Sequence, residues 1–292
     1  MIAFLQKTLR TWGGEIRDIA RIDPRDVAPR LTLLLLVLYG SKFWDLRVPT
    51  VILAAFGMIL PRLSRNPWYW GALTTVIAVG TIPRLYVVDN HKVLMVWWCV
   101  ALTLSTRSEA TLGRNARLLI GLCFALATFW KAITPDFMNG SFMHHTLLCD
   151  GRFADLARLG AGVSPAALAE NALRLEQLYA SETTVIRLLD SATCDVLALG
   201  MTYWTILVEG LIGLCFLAAV RCPVLGHARN LVLPFFMIAT YPVATVIGFG
   251  WLLAILGYAQ CRKDEWRSRL LYLAVFVILQ LYLVPWARVF DV

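Results

Sequence analysis

Apolar stretches recur along the chain with only short polar joins between most of them, near residues 31–45, 48–61, 67–87, 92–106, 117–134, 196–220, 231–245, 246–261 and 269–287. Such a chain has too little polar surface to close around one water-soluble core. Apolar residues make up 59% of it and charged ones only 16%, against about 25% in an ordinary soluble domain. Lipid is then the expected solvent, and helices satisfy their backbone polar groups internally where no water can. The expected fold is all-α, a polytopic transmembrane helical bundle with an extracytoplasmic helical cap. Several stretches are shorter than the ~20 residues of a straight span. Residues 31–61 read as two spans or one broken helix, and 231–261 as two spans or one very long helix, so about nine crossings are expected, with eight as the alternative.

Basic residues arbitrate, because each choice flips every loop downstream. With nine crossings and a cytoplasmic N-terminus, seventeen Lys and Arg fall inside, among them Arg62, Arg65, Arg107, Arg114, Arg117, Arg221, Arg229, Arg262, Lys263, Arg267 and Arg269. The short outer loops and tail hold five: Lys42, Arg47, Arg84, Lys92 and Arg288. Merging 31–61 into one span moves Arg107, Arg114 and Arg117 outside, so nine crossings are preferred. This orientation makes the protein an integral protein of the plasma or inner membrane. Residues 1–30 form a cytoplasmic segment with Ile2, Leu5, Leu9, Trp12, Ile16 and Ile19 on one helical stripe, expected to lie on anionic lipid. The net charge of +8 does not point to nucleic acid, because the cations are dispersed between apolar stretches instead of sharing one face.

The domain spanning 31–292 then includes one long extracytoplasmic loop, 135–195. Ser164 followed by Pro165 reads as the start of a helix, with Leu168, Ala172, Leu175 and Tyr179 as its apolar face. Cys149 and Cys194 stand at opposite ends of this loop, where a disulfide would close it in an oxidising compartment. The alternative, a catalytic thiol, lacks a CxxC motif or an activating neighbour. No spaced Cys/His set marks a metal site, and the adjacent His144 and His145 point in different directions. No metal is expected.

Ionisable residues inside apolar stretches need a partner or a function. Glu209 lies about half-way along the sixth stretch and Lys131 near the outer end of the fifth, close enough in depth to interact. Asp89-Asn90-His91-Lys92 opens the fourth stretch, and Asp136 follows the fifth. Trp97, Trp98, Trp130 and Trp204 rim this polar set or anchor the interface.

Three of these segments resemble the HTTM membrane-domain family, which includes vitamin K-dependent gamma-glutamyl carboxylase. Asn90-His91-Lys92-Val93-Leu94 resembles the family's Asn-His-x-x-Leu helix opening. Lys131-Ala132-Ile133-Thr134-Pro135-Asp136-Phe137-Met138-Asn139-Gly140 is similar to its Lys, acidic, aromatic, Gly pattern, and Glu209-Gly210 to its acidic residue in a following helix. The resemblance implies an enzyme or enzyme subunit acting on a quinone or other lipid-phase substrate at the outer leaflet. Lys131 and His91 would carry acid/base chemistry, with Asp136 and Glu209 orienting them, and Trp130 and Asn90 would contact a reduced, vitamin K-like quinone. The carboxylase has two lysines where Lys131 stands alone, and a large soluble region captures its substrates, so peptide carboxylation is not implied by the membrane domain. The competing expectation is a non-catalytic maturation factor whose cap binds an exported peptide or another membrane subunit. A transporter is a third reading, though no Gly/Pro-broken segments mark an inverted repeat.

Overall fold

Helix starts are written locally. Asp23, Asn66 and Ser108 each accept a hydrogen bond from a first-turn backbone N–H, and Pro24 and Pro67 supply a preset first helical residue. The computed structural model describes residue 18 and residues 21–180, 185–244 and 246–282. Most of the amphipathic stripe expected near the N-terminus, residues 1–17 and 19–20, lies outside the described residues, as do Arg288 and the end of the ninth stretch. The described residues are all-helical, with thirteen α-helices.

Nine of these coincide with the nine apolar stretches: α1 (Pro24–Tyr39), α2 (Trp44–Ile59), α3 (Pro67–Thr81), α4 (Asn90–Ser105), α5 (Glu109–Ile133), α10 (Cys194–Ala218), α11 (Pro223–Thr240), α12 (Ile247–Gln260) and α13 (Trp266–Leu281). Both ambiguous joins are breaks between separate helices. Among the described residues, only α5 and α10, at 25 residues each, are long and apolar enough to cross a membrane; the other seven of these nine run 14 to 18 residues. At 1.5 Å per residue a 16-residue helix covers about 24 Å, short of a ~30 Å hydrocarbon layer.

Successive bundle helices run antiparallel, as the residues at their crossings show. Gly57 faces Leu33 between α2 and α1, Gly80 faces Leu46 between α3 and α2, and Gly71 lies against Thr103 between α3 and α4. Gly213 meets Ala125 between α10 and α5, and Gly257 meets Tyr272 between α12 and α13. All loops carrying the expected inside charges therefore share one end, here the basic end. Arg65 to Asp26 at 2.5 Å, Arg25 to the Arg107 carbonyl at 3.4 Å and Arg269 to Glu109 at 3.0 Å tie that end together.

The core centres on α12, in which Gly250 through Gln260 are all buried. A helix apolar on every side has to sit inside. α12 packs on α13, α5 and α1. Glycine permits the tightest of these contacts: a Cβ on Gly257 would come within 2.2 Å of the Tyr272 ring. Outside, the bundle is apolar as well, with Ile52, Phe56, Leu126, Leu207 and Leu214 about half exposed or more.

Residues 135–195 form a cap of four helices, α6 (Pro135–Met138), α7 (Ser141–Cys149), α8 (Ala154–Ala161) and α9 (Pro165–Ala180). Its own apolar cluster, including Phe137, Met143, Leu147 and Phe153, reaches down to Cys194, Ala198 and Val243 at the end opposite the basic one. Ser164 caps α9, its Oγ accepting from the Ala167 N–H at 3.1 Å. The inward face differs from the expected one. Asn171 is the residue fully buried, clasping both backbone groups of Leu189 at 2.7 and 2.8 Å, while Ala172 and Tyr179 are exposed. The clasp pulls a polar side chain inward and rotates the stripe by one position.

Gly257→Ala is expected to lower stability by about 1–3 kcal/mol through overpacking on Tyr272. Gly71→Ala, whose Cβ would sit 3.9 Å from its nearest neighbour, is expected to be neutral or slightly stabilising. Thermal unfolding of the purified variants checks this, and equal shifts in the two would contradict the assigned packing.

Candidate functional site

α5 and α10 make the most extensive helix pair in the bundle, and small residues let them approach. A Cβ on Gly213 would lie 3.0 Å from the Ala125 backbone, and one on Gly210 3.4 Å from Thr128. At the cap end of this seam Lys131 Nζ donates to Glu209 Oε1 at 2.5 Å. The Glu209 side chain is 11% exposed and that of Lys131 24%. Lys131 also sits 5.4 Å from the centre of the Phe137 ring in the cap. The second carboxylate oxygen, Oε2, is buried with no hydrogen-bond partner among the described residues. The amine is thus committed as a donor between the two long helices, and the pair braces them.

His91 lies elsewhere. It lines a cavity of about 350 Å3 walled by α1 to α4 and by Gly248 of α12. Leu35, Leu46, Ile77 and Met95 make much of that wall apolar. The imidazole stacks on Phe249 at 6.1 Å, and its Nε2 is 4.0 Å from Asp89. Lys92 donates to the carbonyls of Tyr39 at 2.7 Å and Gly40 at 3.0 Å, holding the last carbonyls of α1. Neither Lys131 nor Glu209 lines this cavity or bonds to His91 among the described residues.

The remaining expected residues are dispersed. Asp136 is exposed, and its side chain makes no ion pair among the described residues. Trp130 is 69% exposed, Asn90 is exposed, and neither lines the His91 cavity. Of the four tryptophans expected at the rim, Trp97, Trp130 and Trp204 point outward, but Trp98 is fully buried and donates to Thr32 at 2.9 Å. Cys149 and Cys194 are free thiols in this structure. Within the cap, His144 sits 3.6 Å from both Asp190 and Asp195, and His145 is exposed and turned away. No group of three or more His, Cys, Asp or Glu is placed to hold a metal among the described residues. Arg152 hydrogen-bonds Asp150 through its side chain and backbone, which holds that carboxyl below its ordinary range. This contribution is complete above the ordinary carboxylate pKa and fades as pH falls through the lowered one.

Sequence reasoning missed a buried polar network at the basic end. Arg229 donates to Gln260 at 2.7 Å and to Glu265 at 3.2 Å, and Gln260 donates to Asn230 at 2.6 Å. Arg269, with no exposed side-chain surface, holds the Cys261 carbonyl at 2.7 Å and Glu109 at 3.0 Å. Asn230 and Gln260, two amides at the edges of apolar stretches, were the signal available. Arg229 and Arg269 looked only like loop charges.

Breaking the brace is expected to be asymmetric. Lys131→Met leaves a carboxylate buried without its cation and costs about 1–3 kcal/mol, whereas Glu209→Gln costs less because the long lysine stem can carry its amine toward water. Lys131→Met with Glu209→Leu is expected to recover most of the loss. Thermal unfolding of the three variants tests this, and equal effects of the two single changes would argue against a brace.

Compared with protein-family models, with curated proteins and with solved structures, the chain matches none of them.

Proposed function

We propose that this chain is an HTTM-like integral membrane protein of nine crossings that binds a lipid-phase molecule, of the reduced-quinone class, at its cap end. The observation carrying the proposal is the His91 cavity. A volume near 350 Å3 lies within the usual range for small-molecule sites, and walls that set Leu35, Leu46, Ile77 and Met95 against His91, Asp89 and the cations of Lys42, Arg47 and Lys92 suit a ring carrying one or two oxygens. The apolar exterior and the separation of a basic end from a cap end support the membrane setting, with the cap extracytoplasmic and the N-terminus cytoplasmic. The short helices fit this reading where the bilayer thins around them.

A reduced quinone, when bound, supplies electrons and ionisable oxygens. The chain's own part is to hold the ring between Tyr39 and Phe43, exclude water with Leu35, Leu46 and Met95, and exchange a proton at the His91 imidazole, which Phe249 backs by stacking. Lys92 keeps the Tyr39–Gly40 wall in place. Lys131 and Glu209 brace α5 and α10 below the cap.

A second reading is favoured by the outer face of α9, where Leu173 and Tyr179 are 55% and 81% exposed. These residues would dock an exported peptide or another membrane subunit, and the protein would act without catalysis.

Titration of the purified protein with a short-chain reduced naphthoquinone is expected to show saturable binding, weakened about tenfold in His91→Ala through loss of one polar contact to the ring. No binding, or equal binding by the variant, would overturn the quinone reading. The cap reading makes the opposite cellular prediction: Leu173→Ser with Tyr179→Ser abolishes the protein's role, and His91→Ala leaves it intact. Orientation is tested by a membrane-impermeant maleimide. Glu176→Cys should react in intact cells above the background of native thiols, and Lys263→Cys only after permeabilisation; the reverse pattern would invert the topology.

A further inference from the structure

A second cavity, of about 830 Å3, opens at the basic end between the start of α5, the α10–α11 turn and the α12–α13 loop. Five cationic side chains line it, Arg114, Arg117, Arg229, Arg262 and Lys263, against two carboxylates, Glu109 and Glu265. Both carboxylates are already engaged. Glu109 faces Arg269 at 3.0 Å and Lys263 at 3.2 Å, and Glu265 faces Arg229 at 3.2 Å and Arg262 at 3.9 Å. Arg114 and Arg117, one helical turn apart, have no acidic partner among the described residues. Structural cations are normally matched by carboxylates or carbonyls, as Arg269 is here. Arg114 is exposed and Arg117 half-buried, so both guanidinium groups are available to a ligand in the open cavity.

Planar guanidinium groups pair best with carboxylate or phosphate oxygens, and the cavity is far larger than a single carboxylate needs. The neighbouring His227 adds to this. Its Nδ1 lies 2.7 Å from the Pro223 carbonyl, which leaves Nε2 for a ligand. Gly113 and Gly226 also line it, packed against the Ala259 and Ala219 backbone respectively. The lining residue Val220 is 70% exposed and makes an apolar lip at the α10–α11 turn; Val224, four residues on and outside the lining, is 74% exposed. A free anion gains nothing from that apolar lip, whereas an acyl chain leaving the cavity toward the bundle exterior would lie along it.

We infer that this cavity binds a phosphate-bearing anion through Arg114 and Arg117, and that an anionic phospholipid headgroup is its source. The lipid source rests on the membrane setting proposed above; the anion site itself does not. Arg229 lines the cavity already fixed by Gln260 and Glu265, and Arg114 and Arg117 supply the recognition.

The test uses the full-length protein in detergent, with binding followed by native mass spectrometry. Dioctanoyl phosphatidylglycerol is expected to bind saturably and about tenfold or more tightly than dioctanoyl phosphatidylcholine, because charge-assisted hydrogen bonds dominate the contact. Arg114→Gln with Arg117→Gln should lose about tenfold or more in affinity while its melting temperature stays that of the parent, since neither side chain carries a structural bond. Ala110→Trp, which fills the exposed edge of the cavity without changing charge, should lose affinity as well. His91→Ala, at the opposite end, should bind as the parent does, which separates this result from the quinone test. Inorganic phosphate that binds with the same dependence on Arg114 and Arg117, while phosphatidylglycerol does not, would support the anion site and assign it to a soluble ligand. Absence of binding by both probes, equal binding of the two lipids, or binding indifferent to all the cavity variants would overturn the inference.

Discussion

The burial of α12 is the constraint on which the rest of the structure depends. A 14-residue helix with no polar face has to be kept from water, and here α1, α5 and α13 surround it. Close packing then demands that large side chains on the neighbours meet small ones on α12. Tyr272 and Leu279 settle against Gly257 and Gly250, and Tyr39 against Gly248. The antiparallel sense of the whole bundle follows, because short joins between successive helices leave each no alternative but to return beside the one before.

Surrounding an apolar helix displaces polar groups to the ends, and the two ends solve their electrostatics differently. At the basic end Arg229 and Arg269 are buried yet partnered by the Gln260 amide, the Cys261 carbonyl and the carboxylates of Glu109 and Glu265. Removing any single member would leave a charge stranded, which makes the network a determinant of which loops meet. At the cap end the demand is lighter. One ion pair, Lys131 with Glu209, bridges the two long helices, and Lys92 closes the end of α1. Two cavities remain where packing stops, one beside His91 and one beside Arg114 and Arg117, and the second carries the larger excess of cationic side chains.

Much of the fold was legible because it depends on local periodicity. Each of the nine apolar stretches became a helix, the breaks at residues 40–43 and 241–246 separated the ambiguous ones, and Ser164 capped where it was expected. The approach of Lys131 to Glu209 was legible too, since both depth and sequence order constrained it. His91 was expected beside them and lies in another cavity, because the sequence gives its depth along α4 but not the direction α4 faces. Trp98 was expected at a rim and is core, one residue away from the exposed Trp97; on a helix one position turns a side chain by about 100°. Asn171 displaced Ala172 from the inner face of α9 through two hydrogen bonds to Leu189, eighteen residues away.

The sequence by itself determined that the nine apolar stretches form separate helices and that basic residues collect on one side of the bundle, because hydropathy and charge act over a few neighbouring residues. Tertiary structure alone decided which face each helix turns inward. That choice depends on contacts between distant segments: Gly213 on Ala125, Gly257 on Tyr272, Arg269 on Glu109. It therefore also decided which ionisable groups pair and which, like Arg114 and Arg117, are left facing an open cavity.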